Sequence, residues 1–185
     1  FLDAPVARGV SAAENGTLSF MVGGEQEDFD IILPYLKCMG ADITLCGASG
    51  AGQAVKLMNN MIVVQTVQAI AEALKVAETS GVVDGEVLFK TLIKGSADSF
   101  VLRNHGINSM LSGTHPPKTF PIKYIMKDLG YALELAESCG VVMTGAEATM
   151  NLLKRADTMD FGDRYYTILV EALDLLKKPL ISQRS

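Results

Sequence analysis

Read as a string of apolar and polar positions, the chain changes period near residue 48. Before it, short β-rich runs alternate with turn residues; after it, helical spacing dominates. Residues 1–6, Phe-Leu-Asp-Ala-Pro-Val, predict a short strand ended by Pro5, and Ala7-Arg8-Gly9 predicts a turn. Thr17–Val22 predicts a second strand closed by Gly23-Gly24. Over Glu25–Met39, the residues Phe29, Ile32, Leu33, Leu36 and Met39 recur at helical spacing, with Gly40 as a natural stop. Ala41–Cys46 predicts a third strand. Three strands make a poor core by themselves, so this part is expected to be the edge of a larger sheet.

Gly47-Ala-Ser-Gly-Ala-Gly52 opens a helix expected to run to about Ser80, where Gly81 ends it. About 30 residues at roughly 1.5 Å each give some 45 Å, long for a globular helix. Between Val55 and Leu74 apolar residues lie almost all round, which predicts burial on most sides and packing against a partner subunit. Asp84 is placed to cap a helix over Gly85–Ile93, with Val87, Leu88 and Leu92 facing inward. Further helices are expected over Ser99–Leu111, Ile122–Ser138 and Thr144 to about Asp157, and from Asp163 to near Lys178-Pro179. The intervening Ser112–Pro121 reads as a loop. The predicted fold class is therefore mainly α: an all-helical bundle around one long helix, preceded by a strand-strand-helix-strand piece. The boundary places residues 1–48 in one domain and 49–185 in the other.

Composition narrows the function classes. Of 185 residues, 49% are hydrophobic and 20% charged, the balance of a folded globular chain rather than a disordered one. No apolar run reaches the roughly 18 to 20 residues that span a bilayer, so no membrane partner is expected. The net charge of −5 is concentrated in the first 48 residues, where seven acids face Arg8 and Lys37. With no basic patch, nucleic acid is not an expected partner. Cys38, Cys46 and Cys139 form no CxxC pair, which argues against a disulfide framework or a zinc site. Each is expected to pack as a small buried hydrophobe in a reducing cytoplasm. His105 and His115 lack a third ligand nearby, and no metal is expected.

One constellation carries chemistry. On a helix, Gly52, Lys56 and Asn60 fall at i, i+4 and i+8 and share a face. The bare glycine would let another molecule approach, with an ammonium and a carboxamide beside it. Spacing alone favours a solvated surface lysine over a functional one.

The longer strings discriminate. GAGQAVKLMNN resembles the catalytic-helix motif of the β-hydroxyacid dehydrogenases, the family of 3-hydroxyisobutyrate dehydrogenase and tartronate semialdehyde reductase. LDAPVARGVSAAENGTLSFMVGG resembles that family's substrate-loop segment, FPIKYIMKDLGYALELA its second lysine motif, and MDFGDRYYTILVEAL its closing helix. The four lie in the family's order and cover essentially the whole chain. The resemblance implies the helical bundle seen C-terminally in 6-phosphogluconate dehydrogenase, after the end of a Rossmann domain. It implies an NAD- or NADP-dependent oxidoreductase interconverting a small anionic β-hydroxyacid and its semialdehyde; a homo-oligomer is expected from the apolar surface of the long helix.

The resemblance also assigns roles. Lys56 matches the catalytic lysine, Asn60 the residue that orients the substrate, and Lys127 the second motif lysine near the nicotinamide. Gly52 falls on the cofactor side, Asp128 is expected to pair locally, and Ser99 lies where relatives place a substrate-contacting polar group. Where the family has Ser-Gly-Gly to hold a carboxylate, this chain has Ala7-Arg8-Gly9. Arg8 resembles the arginine of the sulfolactaldehyde reductases in the same family, and a guanidinium suits carboxylate or sulfonate. The GxGxxG fingerprint that holds a pyrophosphate is missing and is expected upstream of Phe1, in an N-terminal Rossmann segment without which the chain is inactive. Two other readings stay open: an interaction module without catalysis, and an imine- or amine-reducing relative.

Overall fold

A computed structural model describes residues 1–116 and 119–176. The described residues form two compact units: Phe1–Ile62 with Lys127–Ala146, and Val63–Met126 with the described part of Glu147–Ser185. The fold is mainly helical with a small three-stranded sheet.

The first unit is built on strands β1 (Val6–Ala7), β2 (Leu18–Gly23) and β3 (Gly40–Gly47), in that spatial order. β1 runs antiparallel to β2, and β2 parallel to β3 through helix α2 (Gln26–Leu36). The strand predicted over residues 1–6 and ended by Pro5 instead starts after it and takes in Ala7, read from sequence as turn, because Pro5 has no N–H to give the ladder. Its carbonyl still accepts from Met21, and Asp3 forms a separate bridge to Gly23. A six-residue helix, α1 (Gly9–Glu14), follows the predicted turn in a stretch to which the sequence assigned no element, too short for a period to show. α2 stops at Leu36 rather than Met39. Beyond Pro34 the backbone tightens into i→i+3 bonds, Cys38 to Tyr35 and Met39 to Leu36, which leaves Met39 exposed. Phe20 and Val22 of β2 and Phe29 and Leu36 of α2 form the core, with Leu2, Ile43 and Leu45 packed against them.

Helix α3 (Ala51–Ser80) has the predicted length, giving residues up to Ile62 to the first unit and the rest to the second. Asp3 completes its first turn. The carboxylate accepts from the N–H of Gly50 at 2.6 Å and of Gln53 at 2.8 Å, two donors without intrahelical partners. A negative charge there also meets the positive end of the helix dipole.

In the second unit, Val64, Val67, Ala71 and Leu74 of α3 are fully buried. Asp84 caps α4 (Gly85–Leu92) as expected, accepting from Glu86 and Val87. The inward side of α4 carries Phe89, while Val87, expected inside, is 55% exposed. The helix expected over Ser99–Leu111 is wound as a π-helix from Leu102 to Leu111. Its wider turn, shifting the face by one residue, leaves no 3.6-residue signature. Gly106 lets this segment lie close to Ile70 and Phe89. Helices α5 (Ile122–Ser138) and α6 (Thr144–Ala156) agree closely with expectation and belong in part to each unit. The last helix starts later than predicted: α7 covers Leu169–Leu175. Residues 162–166 are drawn instead into backbone bonds with Phe120, Ile122 and Lys123. The predicted end near Lys178-Pro179 lies outside the described residues.

The cysteines correct the burial expectation. Cys38 and Cys139 are exposed and Cys46 is partly so, because the first two stand in turns after helix ends. All three are free thiols. Among the described residues no helix is long and apolar enough to cross a membrane.

Candidate active site

The face of α3 predicted from spacing turns inward in the first unit. Gly52 is buried, Lys56 half-buried, and Asn60 only 6% exposed. A buried carboxamide must be hydrogen-bonded. Asn60 Nδ2 donates to Asp128 Oδ2 at 2.7 Å, and its Oδ1 accepts from Asn59 Nδ2 at 3.0 Å. Asp128 projects from α5 with a side chain 16% exposed; its other oxygen, Oδ1, lies 3.3 Å from Lys127 Nζ. Asp128 therefore joins the candidate lysine motif of α5 to the candidate motif of α3. Its expected local pairing is only half of what it does. The sequence could show the acid beside Lys127, but not a bond to a residue 68 positions away.

Lys56 has no hydrogen-bond or ion-pair partner among the described residues, and Asp128 acts on it as a charge at longer range. Burial, which penalises the charged amine, pulls its pKa below the ordinary lysine range; the Asp128 carboxylate partly offsets this. A half-buried amine that gives up its proton more readily than a surface lysine can exchange a proton with a polar molecule, and the exposed Lys127 on the same carboxylate can attract an anionic one.

The other candidate positions serve different contacts. Gly52 is bare, but its open side is filled from within: a Cβ there would meet the Met21 carbonyl at 2.2 Å and the Asp3 carboxylate at 2.7 Å. What approaches the helix at Gly52 is the chain's own strand β2, so the expected access for an outside molecule is corrected. Ala7 pairs with Ser19 across the β1–β2 ladder. Arg8 and Gly9 both take the left-handed backbone conformation, φ 86° and 75°. The Arg8 guanidinium forms an ion pair with Asp42 of β3 and donates to the Thr17 carbonyl at 3.4 Å. Ser99 lies in the second unit, where its hydroxyl accepts from the Leu102 N–H at 3.0 Å and caps that helical segment.

Both histidines belong to the second unit. His105 meets the hydroxyls of Tyr165 and Tyr166 at 2.8 and 3.1 Å, and burial pushes its pKa down. His115 shares a 2.8 Å hydrogen bond with Thr167. Sequence inspection gave no signal for either pairing, because the partners lie more than 50 residues away.

Comparison with known proteins fits this geometry. The family described as NAD-binding of NADP-dependent 3-hydroxyisobutyrate dehydrogenase matches residues 50–173. The family described as the NAD binding domain of 6-phosphogluconate dehydrogenase matches residues 1–47. The chain belongs to the 3-hydroxyisobutyrate dehydrogenase family. A 2-hydroxy-3-oxopropionate reductase of Escherichia coli is 34% identical over 95% of this chain and 59% of its own length. An uncharacterized oxidoreductase, YkwC of Bacillus subtilis, is 40% identical over 82% of this chain and 51% of its own. A solved Mycobacterium tuberculosis 3-hydroxyisobutyrate dehydrogenase with L-serine superposes with a TM-score of 0.83 and 30% identity, over 93% of this chain and 60% of that one. The chain thus spans between half and three-fifths of the relatives it resembles. Both matched families are NAD-binding, and the cofactor class is a nicotinamide dinucleotide. The half-buried amine of Lys56, without a partner among the described residues, and the exposed Lys127 are polar groups of the first unit that such a molecule could meet.

Proposed function

We propose that this chain is the C-terminal part of an NAD(P)-dependent oxidoreductase that interconverts a small anionic β-hydroxyacid and its semialdehyde. The observation carrying this reading is the amine of Lys56: half-buried, unpaired among the described residues, and one helical turn before a carboxamide fixed by Asp128. When bound, the dinucleotide accepts or supplies the hydride. In oxidation the neutral amine of Lys56 takes the hydroxyl proton as hydride leaves the same carbinol carbon; in reduction the ammonium returns it to the carbonyl oxygen. Asn60 orients the substrate oxygen, and Lys127 holds a negative group of substrate or cofactor. Ser99 is proposed as a further substrate contact on the resemblance of its motif position alone.

Arg8 is proposed to bind the substrate anion, and the structure supplies its competitor. An incoming carboxylate or sulfonate must displace Asp42 from the guanidinium, with Ala7 and Gly9 shaping the turn. The functional test joins these points. The intact protein is assayed with NAD and NADP on three- and four-carbon hydroxyacids, one of them sulfonated, across pH. The oxidation kcat/KM is expected to rise with pH through a single ionisation below the ordinary lysine range, and reduction to fall through the same one. That sign follows from the lowered proton affinity of Lys56: the base form is present earlier, the acid form lost earlier. Arg8→Ala should raise KM for the preferred acid about tenfold with little change in kcat, the pattern of lost uniform binding. Absence of hydride transfer on every acid overturns the function; an unchanged KM in Arg8→Ala overturns the anion role.

The same reading divides the chain into residues 1–48, closing a dinucleotide-binding domain, and residues 49–185, an all-α catalytic and dimerisation domain. In support, one matched family ends at residue 47 and the other begins at 50. A homo-oligomer is proposed because Val55 and Ile62, seven residues apart on α3, are exposed at 42% and 58%. Gel filtration of the intact protein should show more than a monomer. Three free thiols suit a reducing compartment, the cytoplasm.

A further inference from the structure

Resting on the proposed role of Lys56, we infer that Asp128 is a positioning residue: held on α5, it fixes which edge of the Asn60 carboxamide faces the substrate and supplies the countercharge to Lys56. The first half follows from donor and acceptor inventory. An ionised carboxylate only accepts hydrogen bonds, so the edge of Asn60 turned to Asp128 at 2.7 Å must be its amide nitrogen. The carbonyl oxygen is then committed to Asn59 at 3.0 Å. One N–H of Asn60 Nδ2 remains, a donor suited to a substrate hydroxyl or carbonyl oxygen. Without the carboxylate, the amide could rotate and present an acceptor instead, which would repel that carbonyl oxygen.

The second half follows from charge and burial. Two ammonium groups, Lys56 and Lys127, lie around one carboxylate, and its oxygens are divided between Asn60 and Lys127. Neither oxygen is spent on a direct bond to Lys56, so Asp128 attracts the ammonium without immobilising it. The lysine therefore stays available to a substrate oxygen. With Asp128 ionised, the cluster keeps a net charge of one positive unit, a match for a singly charged acid. Burial alone would weaken the hold of Lys56 on its proton, and Asp128 opposes that. The side chain is 16% exposed, so its field is only partly screened by water.

Asp128→Asn in the intact protein tests both halves, since it keeps the shape and removes the charge. Lys56 is followed directly by the pH titration of its Nζ and Cε signals in NMR, and catalysis by the pH profile of kcat/KM. The midpoint of Lys56 is expected to drop by about half a pH unit or more. kcat/KM for reduction should fall about tenfold, mostly in kcat. An unmoved titration and an unmoved profile would overturn the inference. If the wild type shows no hydride transfer at all, the functional reading fails, while the titration still decides whether Asp128 governs Lys56. Should Asp128→Asn not fold, Asp128→Glu takes its place. Retaining the charge but displacing it by a methylene, it should leave the Lys56 midpoint nearly in place and still lower kcat about fivefold; wild-type kcat would overturn the positioning role.

Discussion

Replacement of Lys56 by alanine is expected to lower kcat/KM of the intact enzyme by about 10³-fold or more, within the range that a positioned acid or base contributes. Binding should suffer little, because Asn60, Lys127 and Arg8 stay in place, so the loss should fall on kcat. The fold should not suffer either. A half-buried amine without a partner among the described residues is a desolvation cost to the native state, and removing it should leave thermal unfolding unchanged or slightly improved. Lys56→Arg is the sharper companion. It keeps the positive charge, but a guanidinium does not release its proton at working pH, so it should be nearly as inactive as the alanine variant. Added ethylamine should restore part of the alanine variant's rate by supplying the missing amine. A loss of less than about tenfold in Lys56→Ala would remove the lysine from the chemistry.

Gly52→Ala is expected to be the most damaging small substitution in the first unit. The added methyl would sit 2.2 Å from the Met21 carbonyl oxygen and 2.7 Å from an Asp3 oxygen that accepts from Gln53. The first neighbour is strand backbone and cannot rotate away. The second can move only by giving up the cap on α3. Stability should drop by about 3 kcal/mol or more, at the upper end of what overpacking costs. Unfolding by denaturant would measure it; a loss below about 1 kcal/mol would show that strand and helix separate easily. Gly50, where a Cβ would meet nothing within 4 Å, is the control for packing, although its φ of 94° carries a backbone cost of its own.

These predictions separate what the sequence made legible from what it hid. The inward face of α3 was readable because Gly52, Lys56 and Asn60 recur every four residues, and the helix follows that period without interruption. The Asp84 cap was readable because its partners are two and three residues away. The roles of Gly52 and Asp128 were not readable. The first depends on a strand some 30 residues earlier and the second on a helix residue 68 positions earlier. Arg8 was marked as a binder of the substrate anion; in this structure its guanidinium pairs with Asp42, a contact across the sheet that local sequence does not show. The π-wound segment and the late start of α7 were hidden for another reason: local spacing was overruled, by a widened turn in one case and by backbone pairing with Phe120 and Ile122 in the other.

The attachment of Asp3 to the first turn of α3 has a consequence for how the molecule assembles. The groups it satisfies lie 47 and 50 residues further along the chain, so the turn that leads into Lys56 cannot be finished by neighbours in sequence. Asp3 itself is held by the antiparallel bridge that sets it opposite Gly23. The start of the helix that carries Lys56 is thereby tied to the sheet, and a chain with that edge frayed would leave two amide donors of its first turn without their acceptor.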